Sequence, residues 1–196
     1  MKLEFKFDES IICPDDPSAT PERIEQYKEY YKIKYKFCKD QRPKVIAEIG
    51  VRAGYSAWTF LQACPTAKYI GFDANNGTHG GQGGQDGKFS KWAAKILEDY
   101  DVELIELDTQ KTNNLGVSDI DFFHVDGDHS VKGVRHDLDL AYKSISDTGL
   151  IVVDDIGYID SVRHGVFTWV NSMGREVLAW PVESLRGEML IRKRPV

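Results

Sequence analysis

The sequence is poor in cysteine. Cys13, Cys38 and Cys64 are three widely spaced thiols without paired spacing, which fits neither a disulfide framework nor a Cys-rich structural zinc site. Positive charge is also short: acidic residues outnumber basic ones 31 to 25, for a formal net charge of −6. No uniform positive field is available to gather phosphate backbones, so a nucleic-acid substrate is disfavoured. The basic run Arg192-Lys193-Arg194 reads as a solvated terminus. No stretch approaches the roughly 18 to 20 consecutive apolar residues of a membrane span, and Met1-Lys2-Leu3-Glu4-Phe5 lacks the apolar core of a secretory signal. The expectation is a cytoplasmic protein, away from membranes, with a small-molecule partner.

What the chain does have is enough apolar residue, 41% of 196, to bury one core. Thr20-Pro21 places an N-cap and a first-turn proline before a Tyr- and Lys-rich helix running to Cys38, inside an N-terminal extension of residues 1–42. From Pro43, apolar runs alternate with segments of helical period. Strands are predicted at Val45–Ile49, Tyr69–Phe72, Val102–Leu107, Phe122–Val125 and Leu150–Val153. Helices are predicted at Tyr55–Ala63, Phe89–Asp99, Val131–Ser146 and Ser161–Ser172. Two further strands, Arg175–Trp180 and Glu188–Arg192, are joined by a short turn. This order predicts an α/β fold for residues 43–196: a Rossmann-like, doubly wound, mainly parallel seven-stranded sheet with an antiparallel C-terminal edge hairpin.

The first strand runs through Glu48-Ile49-Gly50-Val51-Arg52-Ala53-Gly54 into a helix. Glycines there let a ligand approach the backbone at the carboxyl end of the strand. A dinucleotide fingerprint needs a middle glycine where this chain has Val51-Arg52, which argues against a dinucleotide oxidoreductase. The second strand ends at Asp73, about twenty residues on, where a carboxylate can accept hydrogen bonds from ribose hydroxyls or cap the next turn. Asp126, within Asp126-Gly127-Asp128-His129, and the pair Asp154-Asp155 both stand where an apolar strand stops. Neighbouring parallel strands end on one edge, so these carboxylates should converge, and three of them repel unless a cation sits among them. Oxygen ligands suit Mg²⁺, Mn²⁺ or Ca²⁺, with capping and loop hydrogen bonds as the structural alternative.

The pattern Glu48-x-Gly50-x-x-x-Gly54 resembles the first motif of class I S-adenosylmethionine-dependent methyltransferases. Together with Asp126-Gly127-Asp128-His129 and Asp154-Asp155 it is similar to a metal-dependent O-methyltransferase branch, that of macrolide-sugar O-methyltransferases and cephalosporin hydroxylase-like proteins. The resemblance spans roughly Pro43 to Arg192. It implies that Glu48, Gly50, Gly54 and Asp73 hold S-adenosylmethionine, with Asp108 near the adenine and Asp126 bordering the cofactor. It also implies Asp126, Asp154 and Asp155 as ligands of a divalent metal, expected to be Mg²⁺, and His129 as general base. The acceptor would be a hydroxyl of a small molecule such as a sugar or natural product. The macrolide-sugar enzymes have a longer N-terminal region, so the acceptor pocket here is either open or completed by a second subunit of a homo-oligomer.

His124, inside an apolar strand, reads as a satisfied core residue and His136 as solvated, while His79 and His164 stay open. The glycine-rich stretch Asn75–Gly87 is a candidate lid or a surface loop. The alternatives are a non-catalytic S-adenosylmethionine-binding module and a metal-independent methyltransferase.

Overall fold

Strand and helix alternate through the computed structural model, which describes residues 5–77, 79 and 87–195. Helix α1 (Pro21–Gln41) precedes β1 (Val45–Ile49), α2 (Tyr55–Ala63), β2 (Lys68–Asp73), α3 (Lys88–Ile96), β3 (Val102–Glu106) and β4 (Ile120–Val125). There follow α4 (Val131–Ser144), β5 (Ile145–Val153), α5 (Asp160–Met173), β6 (Val177–Val182) and β7 (Glu188–Lys193). The seven strands form one sheet in the order β3-β2-β1-β4-β5-β7-β6. The first five in that order are parallel, and β7 runs antiparallel to both β5 and β6. The expected doubly wound sheet with its antiparallel edge hairpin is therefore the observed one. Of the candidate lid, residues 78 and 80–86 lie outside the described residues. No helix among the described residues is long and apolar enough to cross a membrane.

Two predicted boundaries move for physical reasons. Helix α4 stops at Ser144 because Ile145 is already extended, at φ −72° and ψ 141°, so β5 starts there and not at Leu150. Strand β6 runs past Trp180 to include Pro181 and Val182. A proline is tolerated there because β6 is an edge strand, with no neighbour on its outer side among the described residues.

Side chains alternate across the sheet with period two, giving two cores. Ile46, Phe122, Leu150 and Val152 face the side covered by α1 and α2, whereas Ala47, Ile49, Phe123, Val125, Ile151 and Val153 face α4 and α5. By the same alternation Glu48 and His124, paired in register across β1 and β4, point to the α1 side. Helix α1 begins as the sequence indicates, with the Thr20 hydroxyl accepting from the Arg23 amide at 3.4 Å. Its buried residues Tyr27, Tyr30, Tyr31, Lys34, Tyr35 and Cys38 follow a helical stripe. The extension thus supplies one layer of the core.

A fragment of residues 43–196 uncovers that face of the sheet. It is expected to lose its fixed near-ultraviolet circular dichroism and its cooperative urea transition. A fragment unfolding cooperatively at the full chain's midpoint would contradict this.

Candidate active site

The order of strands reverses direction at β1, with β2 on one side and β4 on the other, and the carboxyl ends of strands open a crevice at such a switch point. Here it is a cavity of about 420 Å³. Of the predicted site residues, Gly50, Asp73, Asp126, His129 and Asp155 line it. Glu48, Gly54, Asp108 and Asp154 do not.

Gly50 has φ +92°, and a Cβ on it would lie 2.0 Å from the Asp126 carbonyl oxygen, so only glycine lets the ends of β1 and β4 close together. Gly54 starts α2 at φ +81°, where a Cβ would stand 3.0 Å from that of Ala93; its place is in packing α2 against α3. Asp73 accepts the Arg52 and Asn75 amide hydrogens, each at 2.7 Å, which pins its carboxylate on the cavity wall. Asp108 sits just behind the wall formed by Leu107 and Thr109. It accepts from the Gln110 amide at 3.1 Å and pairs with Lys111 at 2.9 Å and His79 at 3.1 Å. Lys111 and then His79 hold its carboxyl below the usual range.

At the far end of the cavity, Asp126, His129 and Asp155 each offer a ligand atom, all within 4.8 Å of one another. His129 Nε2 is 3.2 Å from Asp126 Oδ1 and 3.9 Å from Asp155 Oδ2. Asp155 adopts φ +63°, a left-handed conformation that aspartate tolerates better than most residues. Burial, reinforced by the charges of Asp154 and Asp126, pushes its carboxyl up to about 7. The hydrogen bond to Asp126, with the charges of Asp126 and Asp155, raises His129 to about 9. Upward shifts in both contacting groups mark an excess of negative charge that a proton or cation must offset.

The all-oxygen trio expected from the sequence is not what assembles. Asp154 turns to the α1 side, where Lys34 Nζ donates to its Oδ2 at 2.8 Å, with both side chains wholly buried. The Tyr30 hydroxyl donates to the same oxygen. Burial acts to raise the Asp154 carboxyl, but the Lys34 charge, His124 and the hydrogen bonds from Lys34 and Tyr30 together outweigh it and hold the group well below the usual range. Lys34 Nζ also lies 2.8 Å from His124 Nε2, and His124 Nδ1 lies 2.7 Å from Glu48 Oε1. Ser56 and Tyr69 hydroxyls donate to the Glu48 carboxylate. A neutral His124 protonated on Nδ1 satisfies every partner: it donates to Glu48 and accepts from Lys34. Glu48, expected to hold a cofactor, is instead fully buried in this chain of polar groups beneath the cavity floor.

Sequence reasoning missed Lys34, Tyr30 and Arg186. The signal for the first two was present, since Lys34 follows Tyr27, Tyr30 and Tyr31 on the buried stripe of α1. Of the histidines, His124 is the satisfied core residue expected and His79 lines the cavity. His164 is exposed on α5. His136, expected to be solvated, is half-buried, with Nε2 3.0 Å and 2.8 Å from the Thr109 and Thr112 carbonyls.

Residues 47–156, more than half of the chain, match the family described as a methyltransferase domain. No curated protein matches the chain. Among solved structures, the SAH-bound methyltransferase PaMTH1 of Podospora anserina is 15% identical, with a TM-score of 0.70 over 90% of this chain and 83% of that one. The O-methyltransferase TomG of Streptomyces achromogenes, solved with SAM, is 18% identical, with a TM-score of 0.69 over 98% and 93%. An O-methyltransferase from Bacillus cereus, solved with SAH, is 16% identical, with a TM-score of 0.66 over 93% and 84%. At such identities the likeness is one of fold.

Replacing Lys34 by Met strands the Asp154 charge in the core. The expected loss of stability in urea denaturation is about 3–5 kcal/mol, with Lys34→Met, Asp154→Asn recovering more than half of it. A single variant as stable as the parent would show that the pair carries no such weight.

Proposed function

The chain belongs to the methyltransferase-domain family, and from that premise we propose that it moves the methyl group of S-adenosylmethionine to a hydroxyl oxygen of a small molecule, assisted by a divalent cation. The observation that carries the reading is the meeting of Asp126, His129 and Asp155 in the cavity that also holds Gly50 and Asp73. The neighbours of like fold support the cofactor and the kind of transfer, since they were solved with SAM or SAH and two are O-methyltransferases.

The donor set fits the cation. Mg²⁺ keeps several waters and needs only one or two carboxylates, so Asp126 and Asp155 suffice with Asp154 turned away. When bound, S-adenosylmethionine supplies a sulfonium methyl, and a divalent cation makes a hydroxyl it touches more acidic. The remaining work falls to the chain. Gly50 lets the ends of β1 and β4 close together at the cavity wall, and Asp73, fixed by two amides, presents its free lone pairs to hydroxyl groups. Asp126 and Asp155 hold the positive charge that compensates them. His129, relieved of the carboxylate charges that keep it protonated, takes the acceptor's proton on Nε2. Bound S-adenosylmethionine would supply the methyl carbon to the acceptor oxygen and keep the electron pair of the broken carbon–sulfur bond on sulfur, with the acceptor's proton held on His129. No covalent enzyme intermediate is needed, so catalysis rests on alignment and exclusion of water.

Calorimetry of the metal-stripped protein tests the two halves separately. Asp73→Ala is expected to weaken S-adenosylmethionine binding about tenfold or more, in line with the loss of hydrogen bonds to a charged group. Asp155→Asn, which keeps the left-handed backbone accessible, is expected to abolish Mg²⁺ binding and leave cofactor affinity within about threefold. A wild-type protein that ignores S-adenosylmethionine would end the reading. His129→Gln is expected to lower kcat by about 10²–10⁴ with Mg²⁺ affinity unchanged, the range for a lost general base. A parallel fall in Mg²⁺ affinity would make His129 a ligand instead.

A further inference from the structure

Three arginines line the cavity, Arg23 at the start of α1, Arg52 and Arg186, and the surroundings of the last two differ. Arg52 has a filled fork: Nη1 and Nη2 donate to the two Asp16 oxygens at 2.8 Å and 2.6 Å. Its carbon also stands 4.4 Å from the Phe89 ring centroid. It is a structural tie between the N-terminal segment and the glycine loop. Arg186, on the link between β6 and β7, is not spent in this way. Its guanidinium carbon lies 4.8 Å from the Tyr30 ring centroid and 5.3 Å from that of Tyr158. Its side chain is only 24% exposed, and its one polar contact among the described residues is Nη1 to Asp155 Oδ1, at 3.5 Å.

An aromatic ring attracts the charge of a guanidinium but supplies no oxygen to its N–H groups. Donors withdrawn from water without close partners are costly, so the arrangement favours a ligand that fills them. The backbone beneath is fixed. Gly157 N donates to the Arg186 carbonyl at 2.7 Å, and Ile156 N to that of Gly187 at 3.0 Å. A Cβ on Gly187, at φ +74°, would fall 2.7 Å from Gly157 N. Arg186 is therefore presented from a clamped turn immediately after the strand-end carboxylates.

We infer that the methyl acceptor is a hydroxy acid, whose carboxylate is gripped in plane by Arg186 while its hydroxyl sits at the Asp126–His129–Asp155 centre. This rests on the methyl-transfer reading of that centre. A carboxylate matches the arginine fork in geometry, and its single charge matches one arginine beside acidic neighbours. Because Arg186 already reaches Asp155, the carboxylate and the methylated hydroxyl must be borne on adjacent or next-adjacent carbons.

The test uses the full chain loaded with Mg²⁺ and S-adenosylhomocysteine, titrated calorimetrically with lactate and salicylate against lactamide and salicylamide. At least one acid is expected to bind tenfold or more tightly than its amide. Arg186→Gln should bring that ratio within about threefold of unity while S-adenosylmethionine binds as before and Mg²⁺, freed of the competing guanidinium on Asp155, binds no more weakly. Arg186→Lys, with the charge but not the fork, should keep only part of it. No preference for either acid in the wild type, or a preference surviving in Arg186→Gln, overturns the inference. Cofactor and Mg²⁺ binding in the same samples separate the two failures: if they hold while the acids are not preferred, only the acceptor assignment falls.

Discussion

A carboxylate buried at the end of β5 obliges the molecule to bring a cation to it, and that cation is Lys34 of α1. Desolvating two charges is expensive, and the pair holds only because its remaining valences are met by Tyr30, His124 and, through His124, Glu48. The requirement reaches well beyond the pair. It fixes the rotation and depth of α1 against the sheet, which in turn sets Tyr27, Tyr30 and Tyr31 as one wall of the cavity. The N-terminal helix and the strand ends are thus positioned by one electrostatic demand.

The same demand divides labour between two adjacent residues. Asp154 and Asp155 are chemically alike and consecutive, yet one is compensated inward by lysine and the other faces the cavity beside Asp126. Asp155 reaches that orientation through a left-handed backbone, with its amide donating to Asp154 Oδ1 at 2.8 Å. The anchored residue therefore orients the cavity-facing one. The negative charge left at the cavity is confined to groups that a ligand or cation can reach.

Much of this was legible in the sequence, and what was not has a common reason. Helix α2 and the glycines at 50 and 54 rest on local conformational rules, and Asp126 and Asp155 meet because parallel neighbours end on one edge; each is a short-range or topological inference. Glu48 was misplaced because the loop motif drew attention to its end of the strand, although Ile46 and Glu48 share a face by alternation. Lys34 was hidden for a different reason. Its partners His124 and Asp154 lie 90 and 120 residues away, and a lysine among lysines reads as a solvated face until the opposite side of the helix is known to pack on a sheet. Arg186 sits in a turn, where neither periodicity nor spacing marks a side chain as inward.

Pro181 bears on how the molecule meets its own kind. Strand β6 forms the outer margin of the sheet, and open margins invite strand addition from another chain. At Pro181 the backbone has no hydrogen to donate. A strand from a second molecule laid along β6 would meet this gap one residue before the strand ends. Assembly of this protein, where it occurs, is steered away from a continuous sheet and toward contacts between side-chain surfaces.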